Sequence, residues 1–196
     1  MYRLLVSLIA IGTASRVAIG IPSAIAAQSA KAVLIRFCEL DANGGQLTPE
    51  GSRTIAALFA APGSARSGKV GVVSSFKVNR VSSKDGSADD NGTIKYRVEY
   101  TLLGVIEPSQ AEFSPTPATL LVEPTLFTLK RYGNRVGARP GNHAAASDWL
   151  IEGPVPEPNL NVDSAIRYVT ELRAKAANDA VRRNADRALA ALKRLR

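Results

Sequence analysis

Cysteine and histidine are almost absent from this chain, which has one of each in 196 residues. A single cysteine excludes a disulfide scaffold, and two potential ligands cannot form a Cys/His metal cluster within one chain. We therefore expect no metal and no cofactor. Apolar residues make up 45% of the sequence, which excludes a wholly disordered chain, and the length suits one ordinary globular domain.

Acidic residues are missing from residues 1–27, where Arg3 precedes two apolar stretches that end in small side chains. The tripeptide Ala24-Ile25-Ala26 has the A-x-A form that signal peptidases accept. We therefore predict that residues 1–27 are a signal peptide, cleaved after Ala26 or Ala27, and that the protein is periplasmic or secreted. An uncleaved membrane anchor is the alternative, but Arg16 within the apolar stretch would cost about 2.5–3.5 kcal/mol at the bilayer centre.

Two short helices are predicted after the signal peptide. Apolar side chains recur with helical spacing from Lys31 to Asp41, and a run of Asn and Gly residues ends this helix. A second helix begins after Thr48, which can cap it, with proline at the first helical position. Cys38 lies in the apolar run of the first helix, so we expect a buried, inert thiol rather than a reactive one.

Four strands are predicted between residues 69 and 152, because the apolar period there changes from that of a helix to two. The predicted strands cover residues 69–79, 94–102, 120–132 and 147–152. They are joined by polar or proline-rich loops, such as residues 107–117, and no crossover helix separates them, so we expect an antiparallel sheet. Pro124 within the third strand requires a bulge or a free edge.

The character of the sequence changes after Glu152. Residues 154–160 form a proline-rich linker that favours an extended polyproline conformation. Residues 161–196 have two apolar stripes with helical spacing and predict a helical hairpin or one bent helix. The predicted fold is therefore α+β, with N-terminal helices packed on a curved antiparallel sheet of about four strands (residues 28–153) and a C-terminal helical segment.

Positive charge exceeds negative charge by 8 over the whole chain, and most of the excess lies near the C terminus. Residues 28–162 have 14 basic and 13 acidic side chains, whereas residues 163–196 have 9 and 4. A basic amphipathic helix can lie on an anionic surface, so lipid headgroups or an anionic wall polymer of the cell envelope are candidate partners. A solvated face is the favoured interpretation, because cations late in a helix also stabilise its negative end. Nucleic acid is not expected, because no aromatic residues are interleaved with the basic ones and the chain is predicted to be exported.

Few residues stand in a pattern that indicates catalysis. His143, the sole imidazole, lies in a stretch whose composition is typical of a loop, and no nucleophile motif is recognisable in the chain. The acidic run that contains Asp85, Asp89 and Asp90 lacks the spacing of an EF-hand and is typical of a solvated turn. The remaining catalytic candidates are Tyr96, Glu99, Tyr100 and Glu152. The tyrosines are expected to line a core or a cavity, and the glutamates to face water unless a cavity raises their pKa.

Short motifs stand near both ends of residues 31–153. They are Phe37-Cys38-Glu39-Leu40-Asp41, Thr48-Pro49-Glu50-Gly51 and Asp148-Trp149-Leu150-Ile151-Glu152-Gly153. Together they resemble the helix–loop–helix opening and the W-x-I final strand of secreted bacterial members of the nuclear-transport-factor-like (SnoaL-like, cystatin-like cone) superfamily. This resemblance implies an α+β cone. Isomerases, dehydratases and hydrolases of that superfamily use Asp, His or Tyr inside the cone, while many members only bind or assemble, and no family catalytic residue transfers by motif to this chain.

Three functions therefore remain open at this point. The first is an exported, non-catalytic binding or assembly domain for a small molecule or a protein, with or without homo-oligomerisation; it is favoured because no catalytic constellation is evident. The second is a small-molecule isomerase or dehydratase that uses Glu99 or Glu152 with Tyr96 or Tyr100 in a cone cavity. The third is an adaptor that attaches to the envelope surface through the basic C-terminal helix.

Overall fold

A computed structural model describes residues 29–63, 68–81, 92–117, 124–132, 149–153 and 155–196, and the predicted signal peptide lies outside them. The fold is α+β, as predicted, with four helices and a curled mixed sheet. The helices are α1 (Ala30–Ala42), α2 (Pro49–Ala56), α3 (Val162–Ala174) and α4 (Asp179–Lys193). The strands are β1 (Val70–Arg80), β2 (Thr93–Glu107), β3 (Glu112–Pro115), β4 (Thr125–Arg131), β5 (Trp149–Glu152) and β6 (Asn159–Asn161).

Side-chain caps set the helix starts. Thr48 Oγ1 accepts a hydrogen bond from the Gly51 backbone N–H, so the predicted cap of α2 is confirmed. Asn161 and Asn178 cap α3 and α4 in the same way, and a short break between these helices makes the C-terminal segment a helical hairpin rather than one bent helix.

The sheet has the strand order β5-β4-β2-β1-β6, and β3 pairs with the C-terminal end of β2. The prediction of about four antiparallel strands is therefore wrong in number and in one pairing direction. Strand β3 lies inside the predicted 107–117 connection, and β6 begins inside the predicted 154–160 linker. Strand β6 runs parallel to β1 because the chain returns to the sheet only after β2 to β5, so no hairpin fixes its direction.

A β-bulge divides the long β1–β2 hairpin. The pairing passes from Val72↔Gly104 through Val73↔Leu102 to Ser75↔Thr101, so each strand changes register there. Since side chains alternate across a sheet, an extra residue moves the following side chains to the other face. Val70 and Val72 therefore face one side of the sheet, while Val73 and the apolar side chains after the bulge face the other side.

Two hydrophobic cores result, one on each face of the sheet. The first core joins α1 and α2 to the sheet and contains Phe37, Phe59, Tyr96, Val98, Tyr100, Phe127 and Ile151 among its members. The second core joins α3 and α4 to the other face and contains Val72, Ile106, Phe113, Leu160, Val169, Ala188 and Leu192 among its members. The C-terminal hairpin thus packs on the sheet through its apolar stripe, except for Leu195, which is 41% exposed.

Candidate functional site

The four predicted catalytic candidates do not converge. Tyr96 and Tyr100 are buried in the first core. Glu99 lies between them in sequence on the opposite face of β2, at the cross-strand position of Lys77. Glu152 follows the core residue Ile151, so it also faces away from the first core, and its Oε1 accepts a hydrogen bond of 3.1 Å from the Tyr132 hydroxyl. The sheet therefore separates both carboxylates from both phenols.

Aromatic side chains fill the space between α1 and the sheet. The Phe37 ring contacts Phe59 edge-on, with centroids 5.3 Å apart, and Phe127 at 5.6 Å. Phe76 and Tyr100 lie 6.2 Å apart on the same side of the sheet. These rings lie in or against the first core.

A buried thiol and a buried phenol meet inside the first core. The Tyr100 hydroxyl donates a hydrogen bond of 3.5 Å to Cys38 Sγ, and both side chains are inaccessible or nearly so. Burial raises the pKa of the Cys38 thiol to about 12 and also raises the pKa of Tyr100. Both groups therefore stay protonated at neutral pH and supply neither a thiolate nucleophile nor a phenolate base.

The Cys38 thiol should accordingly resist modification in the native protein. We expect Ellman's reagent to label it at a rate limited by unfolding, because the pKa of about 12 and complete burial leave almost no accessible thiolate. The measurement compares labelling in buffer with labelling in denaturant. Fast native labelling that is independent of denaturant would contradict the described burial.

Sequence reasoning missed Asp41, the buried charged residue of the described chain. It follows Phe37 and Cys38 at helical spacing, so it continues the buried stripe of α1 with a carboxylate in place of an apolar side chain. That break in the pattern is the signal that could have identified it.

The Asp41 carboxylate connects three parts of the fold. Its Oδ1 accepts from Gln46 Nε2 at 2.7 Å, and its Oδ2 accepts from the backbone N–H of Asn159 at 3.1 Å. A neighbouring amide pair, Asn161 Nδ2 to Asn43 Oδ1 at 3.0 Å, makes a second connection between the end of α1 and β6. Desolvation raises the pKa of Asp41 to about 7, although the hydrogen bonds from Asn159 and Gln46 oppose this shift. Both oxygens are used within the fold, so this group holds β6 in place.

No metal centre is evident in the parts of the chain that the structure describes, where no three Cys, His, Asp or Glu side chains form a group able to hold an ion. His143, Asp85, Asp89 and Asp90 lie outside the described residues.

One edge of the sheet is only partly paired. Strand β6 covers β1 at Gly71–Val73, and no other described strand lies along Ser74–Arg80 on that side. We call Ser74–Arg80 the β1 edge. Phe76 and Val78 are half-buried on the face toward the first core, whereas Lys77 on the other face is exposed.

Helices α3 and α4 cover only one end of the second face of the sheet. At the other end of this face Lys77, Lys95, Arg97 and Thr101 are exposed, and Leu126 is 57% exposed. We call these five residues the open sheet face. It combines three cations with one apolar side chain, has the half-buried Glu99 among the cations, and lies beside the β1 edge.

The outward side of α4 is also cationic. Arg183, Arg187 and Arg194 are exposed and lie opposite the buried stripe of Ala185, Ala188 and Leu192. We call these three arginines the α4 stripe. The hairpin's acidic groups pair with other cations, in the pairs Arg173–Asp186, Lys175–Glu171, Arg182–Asp179 and Arg196–Asp163.

None of the helices in the described ranges is both long enough and apolar enough to cross a bilayer. Comparisons with family models, curated proteins and solved structures find no match to this chain. The likeness to the nuclear-transport-factor-like superfamily therefore stays a prediction, and the geometry of the chain itself is the basis for its function.

Proposed function

We propose that this chain is an exported, non-catalytic binding domain that takes an extended, acidic segment of a partner protein onto its β1 edge. The observation that supports this most is the seven-residue stretch Ser74–Arg80, which among the described strands has a neighbour on one side only. An extended segment placed there adds a strand to the sheet through main-chain hydrogen bonds. Export is supported by the predicted signal peptide of residues 1–27.

The side chains along the edge favour a particular partner pattern. A strand beside β1 would place alternate side chains over Phe76 and Val78 on one face and over Lys77 on the other. The first face is half-buried and apolar, while Lys77 shares its own face with two further cations of the open sheet face and with its cross-strand neighbour Glu99, so that face keeps a net positive charge. A segment that alternates apolar and acidic residues complements both faces, since opposite charges on neighbouring strands attract.

A second copy of the chain fits this edge less well. Antiparallel pairing of two β1 edges about their centre brings Lys77 of one copy opposite Lys77 of the other, and like charges on paired strands repel. This repulsion opposes self-association at the β1 edge, whereas an acidic strand is attracted to it. The isomerase or dehydratase alternative gains no support from the described residues, since its carboxylates and phenols lie on opposite faces of the sheet.

The test measures binding of a fluorescent peptide that alternates aspartate or glutamate with valine. The protein used is the chain from Gln28 onward, because every described helix and strand lies within residues 29–196. We expect a dissociation constant on the order of micromolar. Lys77→Glu should weaken binding about tenfold or more, because it places a carboxylate opposite the acidic residues of the peptide.

Lys175→Glu is the matched control, since it makes the same charge change at an exposed position directly after α3. It should leave peptide affinity within about a factor of two. A peptide in which lysine replaces the acidic residues should not bind. Equal weakening by both variants, or equal binding of both peptides, would overturn the proposal.

A further inference from the structure

We propose that the α4 stripe docks on the headgroups of an anionic phospholipid bilayer and so holds this domain at a membrane surface. This inference rests on α4 and is independent of the partner proposed for the β1 edge. It assigns a separate binding surface to the side of the sheet that α3 and α4 cover.

The geometry of α4 produces a straight row of cations. At 100° per residue, positions 183, 187 and 194 fall within about 40° of one another around the helix, opposite the side that is buried in the second core. The row extends for about 16 Å along the axis, at 1.5 Å per residue. Because the apolar side of α4 is anchored on the sheet, the row has a fixed direction relative to the rest of the domain.

The three guanidinium groups keep their charge available. Within the described residues none of them forms an ion pair, whereas each acidic residue of α3 and α4 has a different cation as its partner. Arg187 donates to Asn184 Oδ1, and Arg194 donates to the Ala190 carbonyl oxygen at 3.2 Å. These neutral acceptors position the two side chains without neutralising them.

The small side chains beside the row of arginines favour a flat partner surface. Ala180 and Ala190 flank the row on the same side of α4, and both side chains are small and exposed. The described part of α4 has no aromatic side chain on which bases could stack, so lipid headgroups are favoured over single-stranded nucleic acid.

Co-sedimentation with lipid vesicles tests the inference on the chain from Gln28 onward, which lacks the apolar residues 1–27. We expect binding to phosphatidylcholine vesicles that contain about 30 mole percent phosphatidylglycerol, and none to pure phosphatidylcholine vesicles. Binding should be lost at high ionic strength, because surface charges are then screened. Replacing Arg183, Arg187 and Arg194 by glutamine should lower the partition coefficient about 100-fold, or about fivefold per residue.

The control variant replaces Lys31, Arg36 and Arg53 by glutamine, which removes the same charge from α1 and α2 on the opposite side of the sheet. Its partition coefficient should stay within about threefold of wild type. Equal losses in the two triple variants would overturn the inference, because net charge and not the α4 stripe would then be responsible. Tighter binding of a DNA duplex than of the anionic vesicles at the same ionic strength would also overturn it. Loss of vesicle binding with peptide binding retained separates this site from the β1 edge.

Discussion

Replacing Phe37 by alanine is expected to lower the free energy of unfolding by about 3–5 kcal/mol, the usual range for a large aromatic side chain in a core. Phe37 is fully buried and contacts Phe59 and Phe127, so its ring joins α1 both to the segment after α2 and to β4. Truncation removes these contacts and leaves a cavity that the surrounding rings cannot fill completely.

Urea denaturation of the chain from Gln28 measures this effect. Leu126→Ala is the matched control, because it truncates a large apolar side chain that is 57% exposed, and we expect it to change stability by less than about 0.5 kcal/mol. Phe37→Leu should cost about 1.5 kcal/mol or less and remain folded if the alanine variant does not. A loss below about 1 kcal/mol for Phe37→Ala would contradict the packing described for the first core.

The stability of the protein is expected to fall by a few kcal/mol as the pH rises from about 4 to about 7. Burial raises the pKa of Asp41 from its ordinary 3.8 to about 7, so between these values the folded state binds the proton and the unfolded state does not. Rising pH therefore favours the unfolded state across this interval. The Asp41 contribution is fully present below about pH 4 and is lost above about pH 7.

Comparison with Asp41→Asn isolates this contribution. The amide has nearly the same shape as the carboxylate and does not ionise. In the variant, the difference in unfolding free energy between pH 4 and pH 8 should therefore be smaller by the amount that ionisation of Asp41 contributes in wild type. The variant should also be more stable than wild type at pH 8, although it loses one of the two acceptor positions used by Gln46 and Asn159. Glu39→Gln, at an exposed position two residues away, should leave the wild-type pH dependence in place. If the unfolding free energy of Asp41→Asn varies with pH as steeply as that of wild type, Asp41 is not the source of the pH dependence.

Local physical signals predicted much of the fold. Thr48 and Asn161 are caps with short polar side chains, and the alternation in residues 94–102 matches the buried and exposed faces of β2. The prediction failed where tertiary pairing decides the outcome. Strands β3 and β6 have 4 and 3 residues, too few to show a period of their own, and the sheet stabilises them.

The bulge explains a further failure. Leu102 and Leu103 are consecutive apolar residues, which interrupt a period of two and end the predicted strand at residue 102. In the structure the strand continues to Glu107, and the interruption marks the change from the first core to the second. Two consecutive apolar residues interrupt the period of two in each of these paired strands, Val72 and Val73 in β1 and Leu102 and Leu103 in β2. Such a pair is therefore the sequence signal of a bulge at which the apolar side chains change from one face of the sheet to the other.

The surfaces were less predictable than the cores. The excess charge of residues 163–196 was evident in the sequence, but which cations remain unpaired depends on the contacts between α3 and α4. The β1 edge was not predictable either. Strand β6 pairs with three residues of β1, and how much of β1 it covers depends on where the chain returns to the sheet after the linker.

Hydrogen–deuterium exchange with and without the acidic peptide tests most directly whether a partner strand adds to the sheet. For the chain from Gln28, we predict that saturating peptide slows exchange of alternate amides within Ser74–Arg80 and leaves α1 and α2 unchanged, since main-chain bonds form along the β1 edge. Peptide that binds without protecting Ser74–Arg80, or that protects the helices instead, would contradict the proposed mode of binding.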